Sequence, residues 1–97
     1  PYGRLVGIII AAEESAAAHE LGARLARNDA PIRGIGGVVY GPAPAPIARV
    51  RGWHRVRLLV KTPKGAPIQQ AIAQWTAGLK LPTKLRLSVD IDPQSFY

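Results

Sequence analysis

Residues Gly41 to Lys61 read GPAPAPIARVRGWHRVRLLVK. A proline-punctuated lead runs into two stretches that alternate apolar and basic residues, with Arg51-Gly52 between them. Two short β-runs around a glycine-containing turn predict a β-hairpin, and the parity of its loop decides what each face carries. A three-residue loop of Arg51, Gly52 and Trp53 sets Val50 opposite His54 and Arg49 opposite Arg55. One face then holds Ala48, Val50, His54, Val56, Leu58 and Val60; the other holds Arg49, Arg51, Arg55, Arg57, Leu59 and Lys61. A two-residue loop instead puts Arg49 on the side of Val56 and Leu58, where burying an unpaired charge costs several kcal/mol. The odd loop is therefore expected.

The segments on either side complete a small α+β pattern. Arg4 to Ala12 (RLVGIIIAA) is a continuous apolar run, as in a strand buried on both faces near the centre of a sheet. From Glu13 to Arg27 the period changes: Ala17, Ala18, Leu21 and Leu25 recur at helical spacing, acids come first, and Arg24 and Arg27 fill the last turn. The buried side of this helix is mostly alanine, so it is expected to lie close to the sheet. Asn28, Asp29 and Pro31 end it. Ile35 to Tyr40 predicts a short strand weakened by two glycines. Pro42, Pro44 and Pro46 cannot donate ladder hydrogen bonds, so they hold the next segment extended and stiff. That stretch reads as a rigid crossing at a sheet edge; a free linker or a proline-recognition ligand are the alternatives.

After the hairpin, Thr62 to Gly65 form a turn and Pro67 takes a first helical position, where its missing N–H costs nothing. Ile68, Ala71, Ile72, Trp75 and Leu79 make an amphipathic stripe, which assigns Trp75 to the core. Gly78, Lys80 and Pro82 close the helix. Lys84 to Asp92 (KLRLSVDID) then alternates strictly, with Leu85, Leu87, Val89 and Ile91 on one side. The order βαββαβ predicts a two-layer sandwich of the split-βαβ, ferredoxin-like kind: two helices on one face of a four-stranded antiparallel sheet, strand order 4-1-3-2. The opposite face is left open, and this register places Arg55, Arg57, Lys61, Lys84 and Arg86 on it, with Leu59 and Ser88 between them.

Composition narrows the function. Ninety-seven residues at 47% hydrophobic content support one small domain, read as 1–97. No apolar run approaches the length of a membrane-spanning helix, and no signal peptide is visible. The absence of cysteine excludes disulfides and thiolate metal sites and is compatible with the cytoplasm. The chain opens on Pro1 and contains no methionine, which reads as a domain taken from a longer parent. The net charge is +7, and between Ala30 and Val89 there are ten basic residues and no acidic one. Such a single-sign block suggests a polyanionic partner, nucleic acid first; the alternative is an acidic neighbour within the parent.

Catalysis finds little support. His19 beside Glu20, and His54 at the hairpin, have no evident nucleophile, and two histidines without cysteine do not make a metal site. There is no GxxxxGK[ST] phosphate loop, and Gly34-Ile35-Gly36-Gly37 lacks the dinucleotide spacing. Asp90 and Asp92 read as strand-end residues that cap or pair with basic neighbours, the alternative being a divalent ion. No catalytic or metal-binding residue is assigned, and the fragment is not expected to be an enzyme. Trp53 is the one aromatic that the pattern does not bury. Lying between Arg51 and Arg55, it suits base stacking beside phosphate contacts, or packing on a neighbouring domain. Arginine and lysine contacts to phosphate do not read sequence, so non-specific or structure-selective binding is expected.

These residues also resemble a family. GPAPAPIARVRGWHRVRLLVK followed, after one helix, by LSVDIDPQS is similar to the C-terminal domain of the primosomal replication-restart helicases, the PriA or primosomal protein N′ family; the likeness runs from Gly3 to Ser95. The resemblance implies a parent that is an ATP-dependent 3′-to-5′ DNA helicase of the bacterial cytoplasm, acting at stalled forks with other primosome proteins. It implies ATP with magnesium, and zinc, in parts of the parent outside this chain, and no cofactor within it. It also implies a fold like a small-subunit ribosomal protein. The domain would contact forked or single-stranded DNA and pack on the helicase lobes. Near the start of its second helix it would receive the acidic tail of single-stranded DNA-binding protein. Gln69 matches the family's residue there; the basic residue before that helix falls at Gly65 here, with Lys64 adjacent. Trp53 replaces the basic or polar residue usual after the Arg-Gly turn. The expected nucleic-acid contacts are Arg49, Arg51, Trp53, Arg55, Arg57, Lys61, Lys84 and Arg86, and the expected peptide contacts are Lys64 and Gln69.

Overall fold

The computed structural model describes residues 3–77, 79 and 85–91, the last five of these by backbone alone. The elements are β1 (Gly3–Ala12), α1 (Ser15–Arg27), α2 (Ala30–Arg33), β2 (Val38–Val50), β3 (Trp53–Pro63), α3 (Ile68–Thr76) and β4 (Leu85–Ile91). The four strands form one antiparallel sheet in the order β2-β3-β1-β4, which is the expected order read from the other edge. β1 and β3 are central, and their inward residues Val6, Ile8, Ile10, Val56, Leu58 and Val60 are at most 2% exposed. Ala18, Leu21 and Leu25 of α1 and Ile68, Ala71, Ile72 and Trp75 of α3 complete the same core, so both long helices cover one face. Each such aliphatic side chain contributes about 1.5–3 kcal/mol by leaving water.

Two features seat the helices. Gly22 of α1 lies against β2: a Cβ there would meet the Pro42 ring at 2.8 Å. The alanine-rich stripe and this glycine therefore bring α1 close to the sheet, as its small residues predict. The Trp75 indole N–H donates to the Leu25 carbonyl at 3.0 Å, joining α3 to the end of α1.

Three local expectations are corrected. Asp29 and Pro31 do not simply end α1; they start a one-turn helix, α2, whose Arg33 pairs with Asp29 at 2.8 Å and whose Ile32 is fully buried. Pro31 falls in its first turn, where proline is tolerated. The second strand begins at Val38 and runs without a break to Val50. Its prolines lie on the edge strand, the one place in a sheet where a missing donor is cheap.

The hairpin loop has two residues, not three. Arg49 pairs with His54 and Val50 with Trp53, leaving Arg51 (φ 50°) and Gly52 (φ 82°) as the turn. Positive φ at both central positions is the backbone of a type I′ turn, whose twist matches that of the strands it joins. The charge-burial penalty that favoured the odd loop does not arise. Register shifts fall between Tyr40 and Ala43 and between Pro44 and Arg49, and beyond them Arg49 and its neighbours are exposed.

Candidate nucleic-acid interface

The open face of the sheet is built in rows by the strand register. Arg86 of β4 lies opposite Ala11 of β1, and Ala11 lies opposite Arg55 of β3. The next row runs Ser88, Ile9, Arg57, Ala43; the next, Asp90, Gly7, Leu59, Tyr40; the last pairs Leu5 with Lys61 and Lys61 with Val38. Arg55 and Arg57 are two residues apart on one strand, so they share a face about 7 Å apart.

Three charged groups and one aromatic gather at one end. The Arg86 guanidinium sits over the Trp53 ring, 4.6 Å from its centroid. Arg55 donates from a terminal nitrogen to the Ile47 carbonyl at 3.0 Å, which anchors its guanidinium to the bulged part of β2. Arg55, Arg57 and Trp53 are half-buried and Arg86 is exposed. Half-burial of long basic side chains holds the head groups in place while their stems cover apolar surface. β1 leaves the sheet at this end through the exposed Glu13 and Glu14, so the positive field is bordered by acid on one side.

The expected contact residues thus separate into groups. Trp53, Arg55, Arg57 and Arg86 come together. Arg49 and Arg51 are exposed at the hairpin tip; Arg49 has the parity of His54, not of Arg55, because of the two-residue turn. Lys61 is exposed toward the other end, with Leu59 between it and Arg57 and the exposed Val38 and Tyr40 nearby on β2. Lys84 lies outside the described residues. Of the alternative ion-binding pair, Asp92 does too, and Asp90 is described by backbone alone. Among the described residues no group of acidic or histidine side chains could hold a metal ion, and no helix is long and apolar enough to cross a membrane.

Gln69 is at the start of α3, on the wall of an open depression of about 370 Å³ lined also by Arg4, Ala66, Pro67, Ile68 and Gln70. Lys64 is exposed in the turn before it but does not line it. Arg4, at the outer end of β1, is the basic residue this depression does contain. The sequence offered no spacing that would bring it beside α3, since the two are joined only by the sheet. Ala11 was missed for a similar reason: its smallness matters only once β3 and β4 are known to flank it.

Comparison with known proteins gives a consistent identity. The family profile described as Primosomal protein N C-terminal domain matches residues 1–94. Curated relatives include the Replication restart protein PriA of Rickettsia conorii, 28% identical over 97 residues, which is 100% of this chain and 14% of that protein. The protein of the same name from Rickettsia typhi is 34% identical over 59 residues, 61% of this chain and 9% of its own length. That from Haemophilus influenzae is 36% identical over 57 residues, 58% of this chain and 8% of its length. The chain spans a small fraction of each of these relatives.

Proposed function

The chain belongs to the primosomal protein N C-terminal domain family, and from that we propose that it is a DNA-binding accessory domain of a replication-restart helicase of the bacterial cytoplasm. The observation that carries this reading is the convergence of Arg55, Arg57, Arg86 and Trp53 at one end of a sheet face that none of the described helices covers. Guanidinium groups hydrogen-bond phosphate in a planar, two-pronged way and stay charged at any cellular pH. Arg49 and Arg51 extend the same charge along the hairpin toward a second stretch of backbone. Contacts from these side chains to phosphate would carry no sequence information, so recognition of forked or single-stranded DNA would depend on shape and charge. Strand separation driven by ATP, and the zinc of the resemblance, would belong to parts of the parent beyond this chain.

A second reading has its own observation. The depression at the start of α3 sets Arg4 beside Gln69 and Pro67, a basic, partly apolar recess of the kind an acidic peptide tail fits. On this reading the domain receives the acidic tail of single-stranded DNA-binding protein and packs on the helicase lobes.

Fluorescence anisotropy with labelled single-stranded, duplex and forked DNA across a salt series tests the first reading. It predicts affinity that falls log-linearly with salt, with a slope of several. Absence of binding at low salt would overturn it. The second reading predicts instead that Gln69→Ala and Arg4→Ala weaken binding of an acidic tail peptide while leaving DNA affinity unchanged.

A further inference from the structure

The geometry points to Trp53 and Arg86 as a stacking site for one unpaired nucleobase, which makes this face selective for single-stranded over fully paired DNA. The inference rests on the DNA-binding reading above and adds the part of the nucleotide that is recognised.

Trp53 and Arg86 belong to strands that are not neighbours. β1 lies between β3 and β4, and at this level it presents Ala11, opposite Arg86 on one side and Arg55 on the other. Because the alanine side chain is short, the Arg86 side chain crosses above it and its guanidinium reaches the indole, 4.6 Å from the ring centroid. A larger residue at Ala11 would stand in that path. Two flat groups thereby meet at one end of the strands, just beyond Ala12, where β1 ends and its last pairing, with His54, has been made.

The two tryptophans of the chain have different situations. Trp75 is 6% exposed, part of the core, and its N–H is bonded to Leu25. Trp53 is outside the core cluster and half-buried, so its ring costs solvent exposure without contributing to the helical layer. A guanidinium over an indole is held by cation–π attraction and remains flat on its outer side. Nucleobases stack on aromatic rings and on arginine planes alike, without regard to sequence, because every base has a π-face. In a duplex those faces are already occupied by neighbouring bases. An unpaired base can reach the stack while Arg55 and Arg57, next along β3, take the adjoining phosphates.

The test compares labelled oligothymidylate with an abasic phosphodiester chain of equal length and equal charge, at one low salt concentration. The domain is expected to bind the thymidylate about tenfold more tightly than the abasic chain. Trp53→Ala should bring the thymidylate affinity down to the abasic level and leave the abasic affinity as it was. Trp53→Phe, which keeps a ring and guards against a folding defect, should retain most of the preference. Arg86→Lys keeps the charge but removes the plane, and should lose several-fold more on thymidylate than on the abasic chain. Equal affinity of the original domain for the two chains would overturn the stacking site while leaving phosphate binding intact. Equal losses on both chains in Trp53→Ala would do the same. Failure of the original domain to bind either chain would overturn the DNA-binding reading and the stacking site with it.

Discussion

The indole N–H of Trp75 donates to the main-chain carbonyl of Leu25, 3.0 Å away and fifty residues earlier in sequence. That carbonyl belongs to the last turn of α1 and also accepts from the Asn28 amide at 3.1 Å. The bond therefore ties two helices together between two buried residues. Trp75→Phe keeps an aromatic ring in the core and removes the donor without orphaning the carbonyl. Loss of about 1–2 kcal/mol in urea unfolding is expected, from the hydrogen bond and the imperfect fill. A change below a few tenths would mean the bond is not part of what holds α3 down.

The turn residues offer a paired test of opposite signs. Gly52 has φ 82° with open space around it, so Gly52→Ala meets only the backbone cost of the left-handed region, about 1 kcal/mol. Arg51 has φ 50° and is not glycine or asparagine. Arg51→Asn should stabilise the hairpin by about 0.5 kcal/mol, because asparagine accepts that conformation more readily. The same substitution should weaken DNA binding, since it removes an exposed cation. Thermal unfolding and anisotropy on the same sample separate the two effects.

Gly22 sets helix propensity against packing. Gly→Ala in a helix interior gains about 1 kcal/mol, but the new methyl would stand 2.8 Å from the Cβ of Pro42, a rigid ring on the strand below. Overpacking of this kind costs about 1–3 kcal/mol. Gly22→Ala is therefore expected to be neutral to destabilising in chemical denaturation. A clear gain in stability would show that α1 can lift from β2 at no cost.

Much of this fold is legible from periodicity. The strand order, the helix-covered face and the burial of Trp75 all follow from where Val6, Ile8, Ile10 and the Ile68 to Trp75 stripe must point. The parity of β3 is equally plain, with Val56, Leu58 and Val60 inward and Arg55 and Arg57 outward. The hairpin turn is not, because a burial penalty on Arg49 applies only if that residue lies over the helices. Arg49 is exposed beyond two bulges in β2, so the condition is not met, and those bulges leave no local signal beyond the prolines. α2 escapes notice because a four-residue helix has too little period to read. The Trp53–Arg86 pair joins residues from two strands separated by a third, so it requires the register of β4, which alternation alone does not fix. Membership of the family is legible in the residues around the Arg-Gly turn and is matched by the profile over 1–94.

The most direct test of the account is the salt dependence of forked-DNA binding by the original domain and by the Arg55→Ala/Arg57→Ala double variant. Neither residue belongs to the core cluster, so the double variant should keep its fold, with unchanged circular dichroism. The account predicts weaker binding and a slope of log affinity against log salt that is shallower by about 2, one unit for each phosphate no longer neutralised. An unchanged affinity and slope would contradict it, and would mean that the basic sheet face meets protein rather than DNA.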